Sequence, residues 1–308
     1  MKSDLKNVTI IGAGAWGSVL ASLVQTNKHN VKIWSRQSQH SLAAAVCECD
    51  AIISAVSMKG VRAIAEQLQT VKLLPHAILV SATKGLEPIT GQTPSQIWRS
   101  LIPDRSLVVL SGPNLSQEIM EGKPAATVVA SADDYAAQFA QNIFASRNFR
   151  VYTNSDPIGV ELGGTLKNVI AIAVGACDGL NLGTNAKSAL ISRSLIEIIR
   201  VGVYFGAQPE TFWGLSGLGD LLATCNSNLS RNYQVGYAIA QGKSLEDAIA
   251  NIRGTAEGVN TANVLIEISD REKISVPISR YVYRLLKGEI TLQQAVEGLM
   301  ERDLKPEN

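Results

Sequence analysis

Residues 8–17 read Val-Thr-Ile-Ile-Gly-Ala-Gly-Ala-Trp-Gly, and the fold turns on this stretch. Val8 to Ile11 form a buried strand that runs straight into Gly12-Ala13-Gly14-Ala15-Trp16-Gly17. A helical pattern follows from Ser18 to about Thr26, and a second β-branched strand spans Val31 to Trp34. G-x-G-x-x-G between a strand and a helix, inside a βαβ unit, is the context in which the motif binds a dinucleotide. Gly12 permits the tight turn, Gly14 lets the backbone approach a pyrophosphate, and Gly17 lets the helix pack on the strand. The first amides of the helix then face the phosphates.

The end of the second strand selects the cofactor. An acidic residue there would bind the ribose 2′-hydroxyl of NAD. The sequence instead reads Trp34-Ser35-Arg36, with no carboxylate until Glu48. Ser35 and Arg36 can hydrogen-bond a 2′-phosphate, and Arg36 can stack on adenine. An ordinary solvated arginine is the alternative reading. The pattern predicts NADP as the preferred cofactor, with NAD also accepted.

Further strands are predicted at 51–56, 77–82, 107–111, 125–130 and 149–153, with helical stretches around 60–70, 94–101 and 133–146. Such alternation predicts an α/β fold, a doubly wound, mostly parallel Rossmann-type sheet whose ligands sit beyond the carboxyl ends of the strands. Thr83-Lys84-Gly85 and Ser111-Gly112-Pro113-Asn114 fall at two such ends. From Asp156-Pro157 onward nearly everything reads as helix, Pro being favoured in a first turn. The expected division is a dinucleotide-binding domain over 1–155 and an all-helical substrate-binding and catalytic domain over 156–308.

The helical half carries Gly163-Gly164-Thr165-Leu166-Lys167-Asn168. Each mid-helix glycine costs about 1 kcal/mol relative to alanine, so two together imply that something packs close. Lys167 lies one turn from Gly164 in an apolar neighbourhood; taken alone, it reads equally as a snorkelling surface residue. Asp220 reads as a helix N-cap with Thr224 one turn on. Ser230-Arg231-Asn232 opens another helix, where amides, a hydroxyl and a guanidinium converge on a good phosphate or carboxylate site, or serve plain capping.

With 308 residues, 28 Lys and Arg against 27 Asp and Glu, and 46% apolar residues, the chain is neither disordered nor strongly basic. Nucleic acid is therefore not an expected partner. No apolar run reaches the eighteen or so residues of a spanning helix. Cys47, Cys49, Cys177 and Cys225 are too scattered for a disulfide framework, and His29, His40 and His76 lack metal-ligand spacing, so no metal is expected. Lys2 and Lys6 before Val8–Val24 superficially resemble a secretory signal, but Asp4 and the three glycines argue against one. A cytoplasmic location is expected.

These segments together resemble bacterial NAD(P)-dependent glycerol-3-phosphate dehydrogenase over essentially the whole length. The resemblance rests on Gly12–Gly17, Ala82-Thr-Lys84-Gly85, Ser111-Gly112-Pro113, Leu166-Lys167-Asn168, Gly217-Leu-Gly-Asp220, Ser230-Arg231-Asn232, Ala256-Glu257-Gly258, Val276-Pro-Ile278 and Leu299-Met-Glu-Arg302, in that order. It implies Lys167 as proton acceptor, oriented by Asp220 with Thr224 close by, and Lys84 touching both substrate and cofactor. It implies substrate contacts at Gly112, Asn114, Thr224, Ser230, Arg231 and Asn232. Cofactor contacts are implied at Gly12, Gly14, Ala15, Trp16, Gly17, Ser35, Arg36, Lys84, Ser116, Arg231, Thr255 and Glu257. The implied activity is reversible reduction of dihydroxyacetone phosphate, a small phosphorylated partner, to sn-glycerol 3-phosphate for glycerophospholipid synthesis. A homodimer is also implied. The chain departs from the pattern in three places: the family usually has a longer stretch with an extra strand at 35–50, Ser or Thr then Ala where Asn114-Leu-Ser116 stands, and an aliphatic residue at Thr255. Two rival readings are a two-domain NADP-dependent β-hydroxy-acid reductase and a non-catalytic nucleotide sensor.

Overall fold

The computed structural model describes residues 5–252, 254–304 and 306. Lys2 and Asp4, weighed above, lie outside the described residues. All seven predicted strands form: β1 (Asn7–Ile11), β2 (Asn30–Trp34), β3 (Ala51–Ser54), β4 (Ile78–Ser81), β5 (Leu107–Ser111), β6 (Ala125–Ala130) and β7 (Phe149–Asn154). They make one sheet in the order β2-β1-β3-β4-β5-β6-β7, parallel throughout except where β6 meets β5. Helices α1 (Ala15–Thr26), α2 (Leu42–Val46), α3 (Met58–Gln69), α4 (Pro94–Leu101), α5 (Ser116–Met120) and α6 (Asp134–Phe144) lie between the strands.

Alternate residues of the strands feed two cores, as a sheet covered on both faces requires. Ile10, Ile53, Val80, Val108 and Val129 pack with α1 and α6. Ile11, Ile52, Leu79 and Leu107 pack with α2, α3 and α4. The glycine turn is as the sequence demands. Gly12 has φ +120°, and a Cβ on it would stand 2.6 Å from the Ala55 carbonyl oxygen. A Cβ on Gly17 would stand 1.9 Å from the Gly12 carbonyl oxygen, so the helix packs flush on the turn.

The helical half begins with α7 (Pro157–Gly179), whose N-terminus is capped by the Asp156 carboxylate accepting from the Gly159 amide at 2.9 Å. There follow α8 (Gly183–Tyr204), α9 (Asp220–Cys225), α10 (Arg231–Ala240), α11 (Leu245–Ala250), α12 (Glu257–Glu272), α13 (Pro277–Leu286) and α14 (Leu292–Met300). Helix α7 is apolar nearly all round because everything else packs on it: residues 159–172 are all buried. This corrects the expectation from run length. By length and composition α7 is apolar enough to cross a membrane, and 94% of its most apolar window is buried inside the protein. Lys167 and Glu161 interrupt the run in sequence, but both side chains are paired. The helix is the axle of the helical half.

Helices α7 and α10 approach to backbone contact. A Cβ on Gly236 would stand 1.8 Å from the Ile172 carbonyl oxygen, and one on Gly175 2.1 Å from that of Tyr233. Gly236→Ala should therefore lower unfolding free energy by about 1–3 kcal/mol or more, since no flexible side chain can give way. Gly60→Ala in α3, where the new carbon meets only the Val56 side chain at 3.5 Å, should leave stability unchanged or raise it by up to about 1 kcal/mol. Urea unfolding of both variants checks this; equal midpoints would mean that the α7–α10 contact is not tight.

Candidate active site

Lys167 sits in mid-α7, 6% exposed, among groups delivered by three other segments. Its ammonium donates to Asp220 Oδ1 at 2.7 Å and to the Thr224 hydroxyl. Lys84, in the loop after β4, donates to the other oxygen of the same carboxylate, Oδ2, at 2.5 Å, and to the Gly112 carbonyl at 3.3 Å. The Thr224 hydroxyl in turn donates to Asp220 Oδ1 at 3.3 Å. One carboxylate thus holds two ammonium groups, and the buried set carries a net positive charge.

Asp220 is not the N-cap that its sequence context suggests. A π-helical turn, Leu215–Gly219, runs directly into α9, and Asp220 is already helical. Its carboxylate is thereby free for the lysines. Each of the paired glycines of α7 admits a close neighbour. A Cβ on Gly163 would stand 2.8 Å from the Ser216 carbonyl oxygen of that turn, and one on Gly164 2.1 Å from Ser111 Oγ and 3.1 Å from Lys84 Cε.

Burial lowers the Lys167 pKa, Asp220 opposes it and Lys84 adds to the lowering, and the balance lies at about 8. Lys84 is the cation at hand; Arg231 stands exposed at the start of α10. The Arg231 guanidinium lies beside Gly254, where an added Cβ would be 2.7 Å from Nη1. Ser230 caps α10, its oxygen accepting from the Tyr233 amide at 3.3 Å, which leaves its own O–H to donate. Asn232 Oδ1 accepts from the Gly258 amide at 2.9 Å, at the start of α12, and its Nδ2 hydrogens have no partner among the described residues. Capping and an anion site are thus compatible here. Glu257 Oε1 accepts from the Met58 amide at 3.3 Å, joining α12 to α3, and burial raises its pKa.

Asn114 is oriented by Thr127, a residue the sequence analysis passed over. Thr127 donates to the Ser111 carbonyl at 2.9 Å, so it can only accept from Asn114 Nδ2 at 3.0 Å. Asn114 Oδ1 is buried without a partner. A polar, β-branched residue inside the apolar strand Ala125–Ala130 was the available signal. Ser116 begins α5 without a side-chain bond, and Thr255 is exposed on the loop before α12.

The turn at 12–17 fits a dinucleotide. No side chain caps α1, so its first amides are open to a ligand, and nothing lies within 4 Å of a Cβ built on Gly14. Gly12 N donates to the Trp34 carbonyl at 2.8 Å, which brings the end of β2 beside the turn. There Ser35 closes a turn with Ser38, and Arg36 is exposed.

The whole length has relatives. Residues 156–297 match the model for the NAD-dependent glycerol-3-phosphate dehydrogenase C-terminus, and 7–43 with 37–137 match that for the N-terminus. The chain belongs to the NAD-dependent glycerol-3-phosphate dehydrogenase family. A glycerol-3-phosphate dehydrogenase (NAD(P)+) of Synechocystis sp. is 63% identical over 97% of this chain and 95% of its own. One of Trichormus variabilis is 60% identical over 97% and 98%. The crystal structure of glycerol-3-phosphate dehydrogenase from Coxiella burnetii superposes with a TM-score of 0.92 at 30% identity, covering 97% of this chain and 99% of that one. The N-terminal match comes in two overlapping pieces whose seam falls within 35–50.

The sign of the pH dependence follows from the Lys167 surroundings. Turnover that needs neutral Lys167 should rise with pH through about 8, and turnover that needs its ammonium should fall over the same range. Asp220→Asn removes the group that raises the pKa and should move this limb to lower pH. Rate profiles in both directions check it; a limb that stays put would mean that Lys167 is not the titrating group.

Proposed function

We propose that the chain catalyses reversible hydride transfer between NAD(P)H and dihydroxyacetone phosphate, giving sn-glycerol 3-phosphate. The observation that carries this reading is Asp220 holding Lys84 and Lys167, one on each oxygen, in a chain of this family. A bound nicotinamide supplies or takes up the hydride. Lys167 does the proton chemistry at the substrate oxygen: as an ammonium it polarises the carbonyl and donates, and as a neutral amine it accepts. The charge of Lys84 stabilises the oxygen as it becomes negative. Asp220 fixes the two lysines against each other, and Thr224 fixes the Lys167 amine.

The free donors at the start of α10, Ser230 O–H and Asn232 Nδ2, together with the Arg231 guanidinium, hold the phosphate and so orient a very small substrate. Gly112 and Asn114 line its other end. A dinucleotide cofactor would be held by Gly12, Gly14, Ala15, Trp16 and Gly17, with Ser35 and Arg36 contacting its adenosine part. Lys84, Ser116, Arg231, Thr255 and Glu257 complete that contact. The division into domains 1–155 and 156–308 belongs to this reading, as do a homodimer, a cytoplasmic location and supply of glycerophospholipid synthesis. Four free thiols suit that compartment.

NADPH oxidation on adding dihydroxyacetone phosphate, compared with a panel of keto acids, tests the reading. Turnover on keto acids alone would favour a hydroxy-acid reductase, and no turnover a nucleotide sensor. Arg231→Ala should weaken dihydroxyacetone phosphate binding by about 1.5–3 kcal/mol while sparing unphosphorylated dihydroxyacetone. Equal losses on both would remove Arg231 as the phosphate anchor.

Cofactor preference has its own test. Arg36 has no hydrogen-bond or ion-pair partner among the described residues and stands where a 2′-phosphate should lie. Arg36→Ala should raise KM for NADPH roughly tenfold, a charged hydrogen bond discounted for exposure, and change KM for NADH much less. Parallel changes would place the guanidinium on adenine instead.

A further inference from the structure

One face of α7 is fastened to the sheet half. Glu161 accepts from the Ser95 amide at 2.9 Å and the Ser95 hydroxyl at 2.5 Å, in the first turn of α4. One turn later Thr165, fully buried, accepts from the Gly85 amide at 3.2 Å. Residues four apart lie above one another on a helix. Gly164, bare between them, lets Lys84 Cε and Ser111 Oγ lie against the helix backbone. Lys167, two residues past Thr165, leaves the helix on another side, toward Asp220.

The Gly85 amide belongs to the peptide that joins Lys84 to Gly85, so a bond to it fixes the plane of that peptide. Gly85 has φ +144°, and the loop turns sharply there. The direction in which the Lys84 side chain leaves the loop follows from that plane. We infer that Thr165 is a positioning residue: through the Gly85 amide it sets the Lys84 loop against α7, and thereby the place where the Lys84 ammonium meets Asp220. The inference rests on reading Lys84, Asp220 and Lys167 as the reacting centre.

The consequence reaches Lys167 through the shared carboxylate. The titratable groups that face Lys167 are Asp220 and Cys225 from α9 and Lys84 from the loop after β4; the Cys225 thiol is pushed up to about 12 by burial and stays neutral. When Lys84 withdraws, Lys167 loses the cation that depresses its pKa and keeps Asp220 to itself. Both changes raise that pKa.

Thr165→Val keeps the branched shape and removes the acceptor; Thr165→Ser keeps the acceptor and removes the methyl group. Thr165→Ala is a second variant without the acceptor, should the valine form fail to fold. The measurements are kcat and KM across pH for glycerol 3-phosphate oxidation, an NMR titration of isotope-labelled lysine side chains with Lys167 assigned by its Met variant, and the Tm of each protein. Valine or alanine should lower kcat on the order of tenfold, within the loss that a small misplacement produces. The kinetic limb and the Lys167 titration should both move to higher pH, and serine should restore both. A fall in kcat or Tm with the Lys167 titration unmoved would make Thr165 merely structural and overturn the inference. So would a serine variant that shifts as valine does. Wild-type protein inactive on glycerol 3-phosphate would sink the functional reading alone, because the NMR shift tests the positioning without turnover.

Discussion

Everything in the centre of this molecule is arranged around one carboxylate between two ammonium groups. Removing a charge from water costs several kcal/mol, and the cost is offset only where each charge meets a partner in good geometry. Asp220 meets that condition twice, with both oxygens engaged, while Thr224 satisfies one lysine further. Two cations on one anion still leave a surplus positive charge in a buried place. Such a site is incomplete without an oxygen that carries, or develops, negative charge. A carbonyl becoming an alkoxide is such an oxygen, and the amine that loses a proton to it must titrate near neutrality. Burial and Lys84 bring Lys167 there, to about 8.

Much of this is legible in the sequence because it depends on local rules. Strand alternation, the glycine turn and the Asp156-Pro157 helix start are short-range signals, and all seven strands and the α7 cap form where they point. The misreadings arise where long-range packing decides. Asp220 looks like a cap because glycine precedes it, yet the preceding residues wind into a π turn that α7 accommodates through Gly163. Such turns recur at functional sites, since they re-aim the residue that follows. Thr127 and Thr165 carry only a faint local signature. Each is a hydroxyl in an apolar stretch, and its meaning lies in a partner from another segment: Asn114 for one, Gly85 for the other.

The 35–50 segment closes the edge of the sheet and leaves its centre alone. With no further strand outside it, β2 is an edge strand, and Ile33 is 44% exposed. An open edge invites pairing with other chains unless it is blunted. Here Lys32 on β2 supplies a charge, and the segment closes back on itself: Trp34 Nε1 donates to the His40 carbonyl at 3.0 Å, and Ser41 caps the short α2. The turn at 12–17 does not depend on this edge, because it leans on the residue after β3, Ala55, and on the inner end of β2 through Trp34.

Helix α7 explains why so much glycine sits in one apolar helix. Gly163 and Gly164 admit the π turn and the Lys84 side chain, and Gly175 admits α10, whose first residues are Arg231 and Asn232. Each of these approaches brings one part of the site to the same rod: Asp220 through the π turn, Lys84 through the loop after β4, and Arg231 and Asn232, the proposed phosphate contacts, through α10. A Cβ at these glycines would stand 2.1–2.8 Å from its neighbour and force the three segments apart, stretching the hydrogen bonds among them. The helix costs about 1 kcal/mol of propensity for each such glycine. What it gains is a single rigid element from which Lys167 projects and against which every partner of Lys167 is measured.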